Sequence, residues 1–446
     1  MENQKKLGAA AFLPLIVFLA LYVGCGITFT LTGVADPFSQ FPRHVALLAG
    51  VAVALLLAPK VKINEKLDVF CQSMGNSGVM MIVLIYLMAG GFQGAAATMG
   101  GKESVINMAL HFIPVSLLIP GVFLMCCFIS TAIGTSMGTI AAMAPVAIGV
   151  AQGAGLNAAI VGAAVIGGSY FGDNLSMISD TTISAAQGCG SEMRDKFRMN
   201  FFMALPAAII AIVLYAVLGG HGSGSIEAGA YSVIQVLPYI VVLITALIGI
   251  NVAVVLFIGI LMTGVIGIAQ GTVGFFEWVQ GIGSGMSDMF SISIVAVLIS
   301  GIIGLVRYYG GVEWLVSAIT SKIRSRRGAE YGIGLLSGVL SAALVNNTIG
   351  IIVTCPIAKE IGGKYGIAPK RLASLVDIFA CAFLALMPHD GGILIVTELA
   401  GCTPLDILPY SFYMFALIIF TCITIQFGLL RTPEEKEFAK KQAAAK

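Results

Sequence analysis

Long apolar runs separated by short charge clusters divide the chain into segments 7–30, 44–59, 75–99, 109–152, 157–188, 197–219, 231–249, 251–270, 289–309, 329–361, 371–401 and 409–430. Most can supply the ~20 residues that carry a helix across ~30 Å of hydrocarbon. In that solvent only a helix or a closed barrel satisfies its own backbone, and runs of this length predict helices. The fold class expected is an all-α polytopic membrane protein. Segment 7–30 follows Met-Glu-Asn-Gln-Lys-Lys. It is longer than a signal-peptide core and lacks a clear small-x-small cleavage site, so it reads as a retained first span.

The fourth, fifth, tenth and eleventh segments are interrupted midway by glycine or polar residues. The pattern also repeats. Moving the first six segments on by about 211 residues lands near the second six, and residues 130–145, from Ser130 to Pro145, lie without gaps over 341–356, from Ser341 to Pro356. With a shift of one, Asp180 then falls over Asp390. Matching interrupted segments in two halves point to a transporter's binding site.

Charge orients these segments. If 109–152 and 329–361 are re-entrant hairpins, the chain crosses ten times with both termini in the cytoplasm. Only Arg43 and Lys102 of the 24 Lys and Arg then lie outside. If the hairpins crossed instead, the basic clusters at 194–198 and 307–327 would move outside, against the positive-inside rule. Each half then holds five crossings, an odd number, so the two halves are expected to be inverted repeats: 1–220 and 221–430, followed by a charged cytoplasmic tail, 431–446. Hairpin tips and broken helices should meet near the midplane, because non-helical backbone survives there only where protein or a water-filled cavity satisfies it.

Composition narrows the class. The chain is 58% hydrophobic and only 10% charged, with a net charge of +2, against about a quarter charged in soluble domains. Mean hydropathy is +0.98. This balance excludes a nucleic-acid partner, and no long soluble segment could hold a separate domain. No Walker-type loop or nucleophile elbow is present, so neither an enzyme nor a nucleotide-driven pump is expected, and no cofactor. The nine cysteines lack metal-type spacing and read as small buried hydrophobes.

The chemistry concentrates at 172–182, Gly-Asp-Asn-Leu-Ser-Met-Ile-Ser-Asp-Thr-Thr. An ionised Asp inside a bilayer is costly, so carboxylates there read as ion or proton handling. Asp173, Asn174, Ser176, Ser179, Asp180, Thr181 and Thr182 offer the hard oxygens that Na⁺ prefers. Asp173 and Asp180 are the candidate Na⁺ ligands, and a carboxylate that also carries a proton makes the two cations compete. The bland alternative is a helix cap, with hydroxyls satisfying freed backbone. The first hairpin tip adds Ser130, Thr131, Thr135, Ser136 and Thr139, with Gly134 and Gly138 allowing the turn. The mirrored tip adds Asn346, Asn347 and Thr348. Asp377, His389 and Asp390 are proton-relay candidates, Asp377 with a Lys or Arg from the cytoplasmic side as a partner. A structural His389–Asp390 hydrogen bond is the alternative for that pair. No Arg lies at the expected midplane, which favours inorganic ions over carboxylates, since Arg is the usual bidentate clamp for those. Two localised breaks, rather than a continuous polar path, argue against a channel.

At Gly172–Thr182 the chain resembles the NhaC-type Na⁺/H⁺ antiporter family, whose pattern there is Gly-Asp-x-x-Ser-Pro-x-Ser-Asp-Thr-Thr. Thr135-Ser136-x-Gly138-Thr139 is similar to that family's upstream Gly-Thr-Ser-x-Gly-Thr, and Met177 stands where the proline is usual. The resemblance implies inverted repeats with re-entrant hairpins, homodimers, elevator-like movement and residence in a bacterial inner membrane. It also implies Na⁺/H⁺ exchange through Asp173 and Asp180. NhaC-like members include exchangers of organic anions or amino acids, so an ion-coupled carrier of a small organic solute, such as malate, lactate or an amino acid, is the second expectation.

Overall fold

The computed structural model describes residues 7–32, 34, 40–112, 114–176, 179–219, 229–247, 250–433 and 435. Lys5, Lys6, Met177, His221 and nearly all of the expected tail lie outside them. Every regular element among the described residues is helical. Six helices, among them Ser77–Thr98 and Val252–Ala269, are each long and apolar enough to cross a bilayer. The interrupted segments are each built of two helical pieces, and one of these, Ser136–Gly153, is itself among the six.

The chain forms two compact units. One comprises Met1–Leu84 and Phe290–Lys322. There the Lys66 ammonium donates to the carbonyls of Leu55 (2.8 Å) and Leu57 (2.6 Å), closing the C-terminal end of the Arg43–Leu56 helix. Its neighbour Tyr309 donates to Ala54 O at 2.8 Å. Such carbonyls have no intrahelical donor and require one from elsewhere.

The other unit, Ile85–Met289 with Ile323–Lys446, contains both interrupted pairs. The first hairpin is Val115–Ile133 and Ser136–Gly153; the second is Arg326–Leu344 and Asn347–Tyr365. Two broken helices follow them, Ala158–Leu175 with Asp180–Cys189, and Pro369–Leu384 with Gly391–Ala400. Helix starts at 115, 136, 158 and 180 recur at 326, 347, 369 and 391, an offset of 211 each time (115 to 326). The turn chemistry recurs as well. Gly134 (φ 79°) and Val345 (φ 48°) each take the left-handed conformation, and Thr135 and Asn346 each cap the helix that follows. Glycine accepts that conformation freely, whereas a β-branched valine is strained there.

This register corrects one reading of the repeat. Asp390 occupies the place of Ser179 (179 to 390), the residue before the second helix piece, and Asp180 coincides with Gly391. A one-residue slip aligned the two acids; the helix starts do not.

Small residues bring the first hairpin onto the first broken helix. A Cβ on Gly168 would overlap the Phe123 carbonyl and Cys126, and one on Gly172 would overlap Ser130 and the Thr131 amide. With side chains absent at two positions one helical turn apart, the backbones approach closely, and the Ser130 hydroxyl donates to the Ser169 carbonyl. This contact sets the hairpin tip beside the break. Gly172→Val should cost about 1–3 kcal/mol through overpacking, read as a lowered Tm of the purified protein. A Tm equal to wild type would mean that the contact is not tight.

Candidate functional site

The Ala158–Leu175 helix stops in a place where its last carbonyls have no donors of their own. Side chains supply them. Asp173 O accepts from Thr182 Oγ1 at 3.3 Å, while Asn174 O accepts from Lys196 Nζ and from Asn200 Nδ2, both at 2.9 Å. The Asp173 carboxylate, 2% exposed, lies among hydroxyls. Ser136, the first residue after the first hairpin's turn, donates to Oδ2 at 2.9 Å. Ser179 donates to Oδ1 at 2.5 Å and Thr181 at 3.4 Å, with Ser179 and Thr181 2.8 Å apart.

Ser179 is informative for what it does not do. As the residue before Asp180–Cys189 it would ordinarily cap that helix, yet it makes no side-chain cap hydrogen bond. Its hydroxyl goes to Asp173 instead.

Asp180 stands differently. It is exposed, and its carboxylate accepts from Thr348 Oγ1 at 2.7 Å and from the Thr181 amide at 3.1 Å. The burial expected across 172–182 therefore applies to Asp173, Asn174, Ser176, Ser179, Thr181 and Thr182, all 2% exposed or less. As the first residue of its helix piece, Asp180 lies at the margin of that nest. Each hairpin tip thus gives one hydroxyl to one acid: Ser136 to Asp173 and Thr348 to Asp180.

Other tip residues are occupied locally. Thr135 and Asn346 cap their helices, accepting from Gly138 N (3.5 Å) and Ile349 N (2.8 Å). Asn347 donates to Cys381 Sγ at 3.5 Å.

Asp377 is fully buried and pairs with the equally buried Lys196 at 2.8 Å. Asn200 Nδ2 also reaches Asp377 at 2.8 Å, and Ser374 donates to Asn200 Oδ1 at 2.6 Å. Lys196 also donates to Thr182 Oγ1 at 2.6 Å. Lys196, counted on the cytoplasmic side when charge was used to orient the chain, is buried inside the fold, within the Met193–Gly219 helix. Arg371, counted likewise, is 2% exposed and pairs with Glu330 at 3.0 Å. Sequence reasoning missed Lys196, Asn200 and Ser374. The available signal was Lys196 and Asn200 one turn apart in the Met193–Gly219 helix, since residues at i and i+4 share a face.

The second break is built otherwise. Asp390 caps Gly391–Ala400, accepting from Gly392 N (3.0 Å) and Ile393 N (3.3 Å), with Tyr170 OH at 3.3 Å. His389 Nε2 lies 3.1 Å from Ala342 O. The imidazole therefore meets a main-chain carbonyl, and the His389–Asp390 hydrogen bond considered from sequence is replaced by a helix cap and a carbonyl contact.

Among known proteins, the NhaC Na⁺/H⁺ antiporter of Bacillus subtilis (strain 168) is 25% identical over 472 aligned positions, covering 97% of this chain and 100% of that protein. The NhaC Na⁺/H⁺ antiporter of Alkalihalophilus pseudofirmus (strain OF4) is 26% identical over 347 positions, 70% of this chain and 74% of that one. The malate-2H⁺/Na⁺-lactate antiporter of Bacillus subtilis is 26% identical over 216 positions, and the match spans 48% of this chain and 45% of that protein. The model of the Na⁺/H⁺ antiporter family matches residues 7–220 and 225–431. That match takes in both hairpins and both broken helices, and by it the chain belongs to the Na⁺/H⁺ antiporter family, NhaC type, as an integral membrane transporter.

Proposed function

We propose that the protein exchanges Na⁺ for H⁺ across a bacterial inner membrane, with the Asp173 carboxylate as the group for which the two cations compete. The observation that carries this reading is the buried Asp173 carboxylate held by three hydroxyls at a helix break. A hydroxyl can donate to a charged carboxylate or turn a lone pair toward a cation, so Ser136, Ser179 and Thr181 suit both states. Freed carbonyls of broken helices are the usual coordinators of transported Na⁺. Asp180, with Thr348, serves at the margin as a second cation or proton ligand, and Asp377 and Asp390 are relay candidates.

In this reading the two halves, 1–220 and 221–430, are inverted repeats of five crossings. Both hairpins are re-entrant, and both termini lie in the cytoplasm. The recurrence of helix starts at one offset supports the repeat, and the distribution of Lys and Arg supports the orientation. Homodimers and an elevator-like movement of the hairpin-bearing unit follow from the family resemblance.

A second reading has a specific observation in its favour, the malate–lactate antiporter among the relatives. In it the protein couples a small organic solute to Na⁺ or H⁺. Proteoliposomes separate the two. A Na⁺ pulse that moves protons with no organic solute present supports exchange; a response appearing only after malate, lactate or an amino acid is added supports the second reading.

Asp173→Asn should abolish Na⁺-dependent proton movement while the protein remains monodisperse with a Tm near wild type. Retained transport would remove Asp173 from the site. Ser179→Ala should raise the Na⁺ KM roughly tenfold, equivalent to about 1.4 kcal/mol of lost ligand and positioning energy; an unchanged KM would leave Ser179 with a packing role only. Because a bound proton excludes Na⁺, acidification should raise the apparent KM for Na⁺, by up to about tenfold per pH unit, and alkalinisation should lower it to a plateau. Initial rates measured across pH check this, and a KM independent of pH would rule out competition at one carboxylate.

A further inference from the structure

The Lys196 ammonium occupies a position with the composition of a cation site. Its contacts are three oxygens: the main-chain carbonyl of Asn174 at 2.9 Å, the Thr182 hydroxyl at 2.6 Å and the Asp377 carboxylate at 2.8 Å. A carbonyl freed by a helix break, a hydroxyl and a carboxylate form the oxygen set that a small monovalent cation takes at such breaks. An ammonium offers three donors in a compact point charge, which matches three acceptors. Asn200 Nδ2 donates to two of the same oxygens, Asn174 O at 2.9 Å and Asp377 Oδ2 at 2.8 Å, and two further acceptors stand close by. Asn174 Oδ1 and Asp377 Oδ1 are both buried and have no hydrogen-bond partner among the described residues. Asn174 and Asp377 are each 0% exposed, so neither oxygen turns to solvent.

Charge counting sharpens the point. Asp173 and Asp377 are the buried carboxylates of the first break and its partner helix, and Lys196 is the buried cation that meets Asp377 and the freed Asn174 carbonyl. Two carboxylates and one ammonium leave a single negative charge. Uncompensated buried charge is strongly unfavourable, so the cluster calls for one further monovalent cation, either Na⁺ or H⁺.

We propose that Lys196 is a resident, tethered cation that permanently fills a second monovalent-cation position, formed by Asp377, Thr182 and the Asn174 carbonyl. It thereby restricts the cluster to one exchanging ion at Asp173. The inference deepens the exchange reading and rests on it for the identity of that ion; the occupancy of the Asp377 position can be measured separately. An anion-binding lysine is the competing role, and the contacts oppose it: every polar partner of Nζ is an oxygen acceptor belonging to the protein.

The test uses the purified full-length protein, with equilibrium ²²Na⁺ binding and thermal unfolding in NaCl against choline chloride. Lys196→Gln removes the resident charge and leaves its oxygens. The number of Na⁺ bound per protomer should rise from about one to about two, and the Na⁺-dependent gain in Tm should exceed that of wild type. K196Q/D377N, which removes both charges together, should return to about one Na⁺. A folded K196Q that binds the same number of Na⁺ as wild type, with the same Tm gain, overturns the proposal. Should K196Q fail to fold, the double variant decides. It leaves the same single negative charge as wild type, at Asp173, and should fold and bind about one Na⁺, and its failure to do so overturns the proposal. If wild type binds no Na⁺, the exchange reading fails. A Na⁺-dependent Tm gain that appears in K196Q and vanishes in K196Q/D377N still supports the resident cation, and its absence overturns it.

Discussion

A helix that stops inside an apolar fold leaves carbonyl oxygens without donors, and the unit around Asp173 is arranged to meet that demand. Gly172 O is taken by the Ser176 amide at 2.6 Å. Asp173 O and Asn174 O are reached by Thr182, Lys196 and Asn200. Each of these donors ties a different piece of chain to the break: Thr182 the second helix piece, Lys196 and Asn200 the Met193–Gly219 helix. Through Asp377 and Ser374, Lys196 and Asn200 extend the tie to Pro369–Leu384. An orphaned backbone group in such a place costs several kcal/mol, so the polar network is a requirement of the interrupted backbone as well as a place for ions.

The two breaks meet the same demand with different chemistry. At the first, the residue before the second helix piece is Ser179, whose hydroxyl makes no cap to its helix and goes to Asp173. At the equivalent place of the second, Asp390 caps its own helix twice over. The acids that matter to the network do not recur. Asp173 corresponds to Leu384 (173 to 384), and Asp377 to Ile166 (166 to 377). One architecture is therefore used twice, with an acid held by mobile hydroxyl donors at the first break and an acid fixed by main-chain amides at the second. Hydroxyl partners can reverse their donor role by rotation, whereas amide N–H groups cannot. That difference separates a group able to trade partners from one serving as a cap.

Local signals carried much of the site. Gly-Asp at 172–173 and Ser-Asp-Thr-Thr at 179–182 mark the break, because short polar side chains in an apolar stretch have no other use than backbone, ion or each other. Thr135 and Asn346 were legible as turn residues for the same reason. The ionic partner of Asp377 was not legible by identity. Lys196 lies beside Arg194 and Arg198, and a lysine in a basic cluster at a helix end ordinarily stays in water or snorkels to it. Only packing of the Met193–Gly219 helix against the first break and the Pro369–Leu384 helix removes it from solvent. The unequal exposure of Asp173 and Asp180 was hidden in the same way, since seven residues of separation and identical chemistry say nothing about which one the surrounding chain will enclose.

By itself, then, the order of apolar and polar residues determined that this chain is helical and spans a membrane. It also marked the two interruptions per half at which backbone needs outside partners, because helix length and unsatisfied amides are local properties. Tertiary structure alone decided the rest: which hydroxyl meets which carboxylate, that Asp390 is a cap, and that Lys196 neutralises Asp377 beside the freed Asn174 carbonyl. Those outcomes depend on residues far apart in the chain meeting in a medium of low dielectric, where the partner rather than the residue type sets the energy.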